Sequence, residues 1–321
     1  MITQLATSVL DLIGNTPVVE LHRIVECLGL KGRLLAKVES TNPGLSKKDR
    51  IALEIIMRAR ESGELSPGQP VVELTSGNTG AGLAIVCSVM GHPFIAVMSQ
   101  GNSAERARQM TALGAEVVLV EQANAGHAGR VTGADLELVE KAVARIAVER
   151  RAFIADQFHR EANLLAHERG TGPELWRQSN GSVDVFLDFV GTGGTFTGVT
   201  RALRRENAAL RAYVVEPESA AVLAGRPVTH AAHQIQGGGY ATSNLPLLDR
   251  SLVTDYLSVT DEDAVSCARL LARREGLLAG FSTGAHLAAA IQLLKSIESG
   301  STIAFLVCDS GMKYFSTDLF P

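Results

Sequence analysis

Strand-like and helix-like segments alternate along this chain, joined by turns of small residues, and this restricts its fold more than any other feature. Apolar runs at 34-LLAKVE-39, 71-VVEL-74, 94-FIAVM-98 and 116-EVVLV-120 read as strands. Between them, 49-DRIALEIIMRARESG-63, 80-GAGLAIVCSVMG-91 and 103-SAERARQMTALG-114 carry apolar residues at helical spacing and end on glycine. That spacing is the rhythm of βαβ units. It lapses over a less regular middle, where 121–133 reads as a surface loop, and then resumes. Strand 183-VDVFLDFV-190, the turn 191-GTGG-194, a helix over 195–210 and strand 212-AYVVE-216 follow in order. A loop-rich stretch from Pro217 to Asp249 leads to helices over 261–276 and 284–297 and a last strand, 302-TIAFLVC-308. Two batches of βαβ units predict two α/β domains.

Composition removes several function classes. Thirty Lys and Arg stand against 34 Asp and Glu, a formal charge of -4, which is not the basic surface of a nucleic-acid binder. No apolar run is long enough to span a bilayer, and the first residues, MITQLATSVLDLIGNTP, lack a basic leader and apolar core. A cytoplasmic chain is the expectation. Cysteines at 27, 87, 267 and 308 form no C-x-x-C pair, and three sit in apolar contexts, so buried free thiols are expected rather than disulfides or metal ligands. His127, His159 and His167 have no cluster of acids or cysteines in the sequence, so no metal is assigned.

Three turns carry the chemistry. The stretch 191-GTGGT-195 follows a strand and opens a helix, where successive backbone N–H groups hold a phosphate; an ordinary βα turn is the bland alternative. It is neither a P-loop nor a full G-x-G-x-x-G fingerprint. At 75-TSGNTG-80, Ser76, Asn78 and Thr79 add side-chain donors suited to a carboxylate. At 279-AGFSTGAH-286 a simple N-cap competes with a ligand contact. Lys48, in 42-NPGLSKKDR-50, falls near a helix start. An isolated lysine is usually solvated, but one amid anion-binding turns, if neutral and desolvated, is suited to a Schiff base with a carbonyl cofactor.

Together, 42-NPGLSKKDR-50, 75-TSGNTG-80, 191-GTGGT-195 and 308-CDSGMKYFST-317 resemble the cysteine synthase and cystathionine β-synthase group of pyridoxal-phosphate enzymes. Weaker matches at 12-LIGNTPVVEL-21, 105-ERARQMTALGAEVVLV-120, 170-GTGPELW-176 and 234-QIQGGG-239 extend the resemblance over nearly the whole chain. It implies the tryptophan-synthase-β-like fold type II, with two three-layer α/β/α domains and pyridoxal 5'-phosphate in the cleft between them. The expected division is a larger cofactor domain, 1–41 and 150–321, and a smaller mobile domain, 42–149, carrying the carboxylate loop. By the same resemblance Lys48 forms the internal aldimine, and Gly191, Thr192, Gly193, Gly194 and Thr195 hold the cofactor phosphate. Asn78 bonds the pyridoxal 3'-oxygen and Ser310 faces the pyridine nitrogen, leaving it largely unprotonated. Thr75, Ser76, Asn78 and Thr79, with Gln157 and Gly238, belong to the substrate site. The implied reaction is β-replacement: Lys48 removes the α-proton of an activated L-serine, an aminoacrylate forms, and a nucleophile adds to it. O-acetylserine and sulfide, giving cysteine and acetate, are the implied pair. A homodimer, and a complex with serine acetyltransferase, are the partners the resemblance raises.

Several positions depart from the family pattern. Lys47 stands where valine is usual; it either points to solvent or places a cation near the leaving group or an acidic nucleophile. The stretch 98-MSQGNSAER-106 replaces a stiffer methionine-proline start, and 237-GGGYATSNLP-246 offers Tyr240 and Ser243 to something larger than sulfide. Thr79, where dehydratases carry histidine, argues against that activity. Ending at Pro321, the chain is expected to lack a haem-binding extension or regulatory domains. Two alternatives stay open: a sibling synthase using O-phosphoserine, serine, an amine or a larger thiol, and a catalytically idle binding homologue.

Overall fold

The computed structural model describes residues 5–75, 77–102, 104–123, 133–231 and 233–320. In chain order the elements begin with β1 (Val18–Glu20), α1 (His22–Cys27), β2 (Arg33–Val38) and α2 (Lys48–Glu61). Next come β3 (Val71–Leu74), α3 (Asn78–Met90), β4 (Phe94–Ser99), α4 (Ala104–Ala112), β5 (Glu116–Val120), α5 (Gly133–Arg150) and β6 (Phe153–Ile154). After α6 (Glu161–Ala166) and a single π turn over His167–Thr171 follow α7 (Gly172–Gln178), β7 (Val185–Phe189), α8 (Gly194–Glu206) and β8 (Arg211–Pro217). The chain closes with β9 (Asp255–Val259), α9 (Asp261–Glu275), α10 (Phe281–Leu294) and β10 (Thr302–Val307).

These elements form two compact units. The first comprises Met1–Ile13 and Asn42–Asn163, the second Gly14–Thr41 and Leu164–Pro321. The first unit therefore runs past the expected end at 149, because β6 joins its sheet. That sheet has the order β5-β4-β3-β6 and is parallel throughout. Val72, Ile95 and Val97 on one of its faces pack against Val139, Val143 and Ile146, which recur down one side of α5.

The second unit holds a six-stranded sheet, β1-β2-β10-β7-β8-β9, parallel except for the edge pair β1 and β2. Its central strands are buried on both faces, as parallel strands between helix layers must be. Side chains alternate between two cores. Val185, Leu187, Phe189, Ile303, Phe305 and Val307 enter the core shared with α9 and α10. Phe186, Val190, Ala304, Leu306 and Cys308 enter the core shared with α7 and α8. The sequence had marked seven of these strands; β1, β6 and β9, each short or at an edge, carry too few apolar residues to stand out, and α5 follows the unmarked middle.

Candidate active site

In the first unit, Lys48 is the first residue of α2 and half-buried. The turn before it is shaped by Asp49, whose carboxylate accepts a hydrogen bond from the Gly44 N–H. A Cβ on Gly44 would lie 2.3 Å from that carboxylate, so the position excludes any side chain. Ser46 Oγ, 3.3 Å from the Lys48 N–H, accepts from the first turn of the helix. Gly82 then lets α3 approach α2, since its Cβ would stand 3.1 Å from both the Lys48 carbonyl oxygen and Asp49 Cα. The first turn of α2 is thereby packed directly on α3.

Thr75 leaves β3 and folds its own turn, its Oγ1 accepting from the Gly80 N–H at 2.8 Å and the Gly77 N–H at 3.4 Å. Gly77 is the N-cap of α3 and has no side chain to cap it. Thr79, inside that turn, donates to Gln157 Oε1 at 2.7 Å, and Gln157 Nε2 donates to the Leu74 carbonyl at 3.4 Å. Two expected substrate residues, 78 positions apart, therefore support each other. Glu73 lies beneath them, its carboxyl accepting from the Asp156 N–H at 2.7 Å and the Gln157 N–H at 3.4 Å. Burial pushes this carboxyl up to about 8, against the lowering effect of those N–H groups. Ser76, and most of the 121–133 stretch with His127, lie outside the described residues.

Lys47 is 8% exposed, so its side chain does not reach into solvent. The solvated alternative for this position is thereby excluded.

In the second unit the turn after β7 is held by close backbone approaches. A Cβ on Gly191 would meet the Gly237 carbonyl oxygen at 2.6 Å, and one on Gly238 the Val190 carbonyl oxygen at 2.4 Å. The triple glycine thus packs its loop directly onto the turn. Gly193, the N-cap of α8, has φ +85°, and its Cβ would stand 2.8 Å from the Leu248 nitrogen. The result is a cradle of backbone at a helix N-terminus, with Thr192 and Thr195 at its edge, which suits an anion. Behind it lies a residue that sequence reading had set aside. His167 is fully buried, its Nε2 3.1 Å from Thr195 Oγ1 and its Nδ1 2.9 Å from Thr171 Oγ1. Gly198 permits this, because a Cβ there would strike the Leu164 carbonyl oxygen at 2.3 Å. The only hint in the sequence was the nearby 170-GTGPELW-176.

Ser310 follows β10 and caps the last turn, accepting from the Met312 N–H at 3.3 Å. With that bond accepted, the hydroxyl proton is left for an acceptor, which matches an unprotonated ring nitrogen. At the third small-residue turn the side-chain N-cap reading fails. Gly280 caps α10 without a side chain, while Thr283 Oγ1 accepts from the Cys308 N–H at 3.0 Å. Tyr240 is 46% exposed and lines a small surface depression with Val190, Gly191, Glu216 and Thr242; Ser243 is exposed and outside it. Of the four thiols, Cys87 and Cys308 are buried, and burial holds Cys87 and Cys267 up near 12, so neither of the latter is a thiolate at neutral pH.

The donor set fits pyridoxal phosphate: an amine at a helix start, a glycine cradle for the phosphate and a hydroxyl for the ring nitrogen. Comparison with known proteins agrees. The family described as "Pyridoxal-phosphate dependent enzyme" matches residues 9–309. Cysteine synthase 3 of Caenorhabditis elegans is 41% identical over 314 residues, 97% of this chain and 88% of that protein. A hydrogen sulfide-producing enzyme from Fusobacterium nucleatum superposes with a TM-score of 0.89 at 35% identity, covering 98% of this chain and 99% of its own. O-ureido-L-serine synthase does so with a TM-score of 0.87 at 35% identity, covering 99% and 96%. No described helix is long and apolar enough to cross a membrane.

Proposed function

The chain belongs to the pyridoxal-phosphate dependent enzymes, in their cysteine synthase and cystathionine β-synthase group and of fold type II, and it is a β-replacement enzyme of cysteine synthase-like type; from that premise we propose that it converts O-acetyl-L-serine and sulfide into L-cysteine and acetate. The observation that carries this reading is the close packing of α3 on the first turn of α2 at Gly82, which fixes the helix start that bears Lys48.

Bound pyridoxal phosphate supplies an electron sink for the α-carbon of the donor amino acid. Lys48 is the residue that would hold the cofactor's aldehyde end, and its free amine would take the α-proton of the donor. The Thr75–Thr79 turn, braced by Gln157, receives the donor's carboxylate at the positive end of α3. The Gly191–Thr195 turn takes the phosphate, and Gly238 shapes it by packing against Val190. Ser310 would donate a hydrogen bond to the ring nitrogen while keeping its proton; a neutral donor there would limit charge spread into the ring and favour loss of the β-substituent. The assembly proposed is a homodimer, which sedimentation would check.

One observation favours a second reading. Lys47 is buried where the family pattern usually has valine, so the chain departs from that pattern at the residue next to Lys48. The similarity to O-ureido-L-serine synthase supports a sibling donor or nucleophile as well.

Stopped-flow absorbance separates the two. The holoenzyme is mixed with O-acetylserine, O-phosphoserine or serine, followed by sulfide, thiols or amines. A fast spectral change with O-acetylserine, reversed by sulfide at a comparable rate with cysteine formed, supports the first reading. Reaction confined to O-phosphoserine, or reversal only by an amine or larger thiol, supports the second. No change with any donor would leave a binding homologue.

A further inference from the structure

β7 and β10 are neighbours in the second unit's sheet, yet their ladder pairs only Val185 with Ile303 and Phe186 with Ala304. Towards their carboxyl ends a side chain stands between them. His286, on the second turn of α10, is fully buried. Its Nε2 lies 2.7 Å from the Phe189 backbone nitrogen and its Nδ1 2.8 Å from the Leu306 carbonyl oxygen. A backbone N–H can only donate and a carbonyl can only accept, so the partners assign the ring as neutral with its proton on Nδ1. Burial opposes a charged ring, whereas Cys308 and Asp188, whose Oδ1 lies 3.4 Å from Nε2, favour one and on balance would push the imidazole up to about 9. The Phe189 N–H decides between them, because it leaves no place for a second proton.

Asp188, His286 and Cys308 have ligand atoms within 4.8 Å of one another, the spacing of a metal site. Both ring nitrogens are engaged by backbone, however, so a metal would have to break the bridge between the strands. The cluster reads instead as a clamp. Thr283, three residues earlier on α10, accepts from the Cys308 N–H. One end of α10 therefore grips β7 at Phe189 and the exit of β10 at Leu306 and Cys308. Gly191 lies two residues beyond Phe189, and Ser310 two residues beyond Cys308.

We propose that His286, assisted by Thr283, is a positioning residue that sets the spacing between the phosphate turn and Ser310, and so the seat of the cofactor. The inference rests on the reading that Gly191–Thr195 hold the phosphate and that Ser310 faces the ring nitrogen.

The test uses His286→Phe, which keeps a ring and loses both hydrogen bonds. Hydrogen exchange is followed in the cofactor-free protein, and cofactor dissociation and the phosphorus resonance of bound pyridoxal phosphate in the holoenzyme. Expected are faster exchange in both 186–195 and 304–312, about tenfold or more weaker cofactor binding, and a moved phosphorus resonance. A folded His286→Phe protein with either segment as protected as wild type, or with unchanged cofactor affinity, would overturn the proposal. Thr283→Val serves if His286→Phe does not fold: faster exchange over 304–312 with cofactor binding weakened about threefold supports the clamp, and no change in either overturns it. Gly193→Ala tests the underlying reading separately. If it leaves cofactor affinity and the phosphorus resonance unchanged, the phosphate site is wrong, whatever exchange shows for the clamp.

Discussion

The turn after β3 and the turn after β7 look alike in sequence, each a few small residues between a strand and a helix, but they are built differently. The second is shaped by exclusion. Gly191, Gly193 and Gly238 stand where a Cβ would collide with backbone, so the turn takes its form chiefly from packing, with the Thr192 and Thr195 hydroxyls adding hydrogen bonds at its edge. The first is shaped by a polar network running from Thr75 and Thr79 through Gln157 to the buried carboxyl of Glu73. Backbone packing is insensitive to pH and intolerant of added volume. A hydrogen-bonded network containing a titratable group is the reverse. The comparison teaches that one chain can fix one strand-to-helix turn by steric exclusion and another by adjustable polar contacts.

The largest effect is expected at Lys48. Lys48→Ala should reduce turnover by at least about 10³-fold. Far-ultraviolet circular dichroism and the melting temperature should stay near wild type; normal turnover would refute the assignment. Gly193→Ala breaks the excluded-volume turn, since φ +85° and the Leu248 contact together cost about 2–4 kcal/mol. That loss should appear as weakened cofactor binding by equilibrium dialysis, with little dependence on pH.

Thr79→Val removes one bond of the polar network while keeping the shape. About 1 kcal/mol is at stake. The donor KM should rise about fivefold while cofactor affinity holds, which initial-rate kinetics and dialysis measure together.

The effect that most sharpens the comparison is one of pH. The folded-state pKa of Glu73 lies above its ordinary value of 4.5, near 8. Its protonated form is therefore bound more tightly in the native than in the unfolded chain. The stabilisation it contributes is complete below about 4.5 and is lost as the pH rises through about 8. Denaturant titrations of wild type and Glu73→Gln across that window should converge in their pH dependence everywhere except there, where the variant is flatter. Identical slopes would remove Glu73 from the network.

Much of this was legible in advance. The strand over 71–74 and the strand over 116–120 fall where their periodicity put them, and α8 begins one residue before its predicted start. The helix predicted over 284–297 is Phe281–Leu294, shifted because Phe281, Ser282 and Thr283 are taken up in its first turn. Lys47 was undecidable from the sequence, since a lysine next to a charged neighbour looks the same exposed or buried.

The sequence by itself determined the alternation of elements, the three glycine turns and the place of Lys48 at a helix start. These depend on periodicity and turn chemistry, which act over a few residues. Only the tertiary structure decided that β10 lies between β2 and β7, that Thr79 meets Gln157, that His167 backs Thr195 and that His286 bridges two strands. The physical reason is that strand order in a parallel sheet follows from how long crossovers pack. No local pattern records which distant backbone group a buried side chain will satisfy.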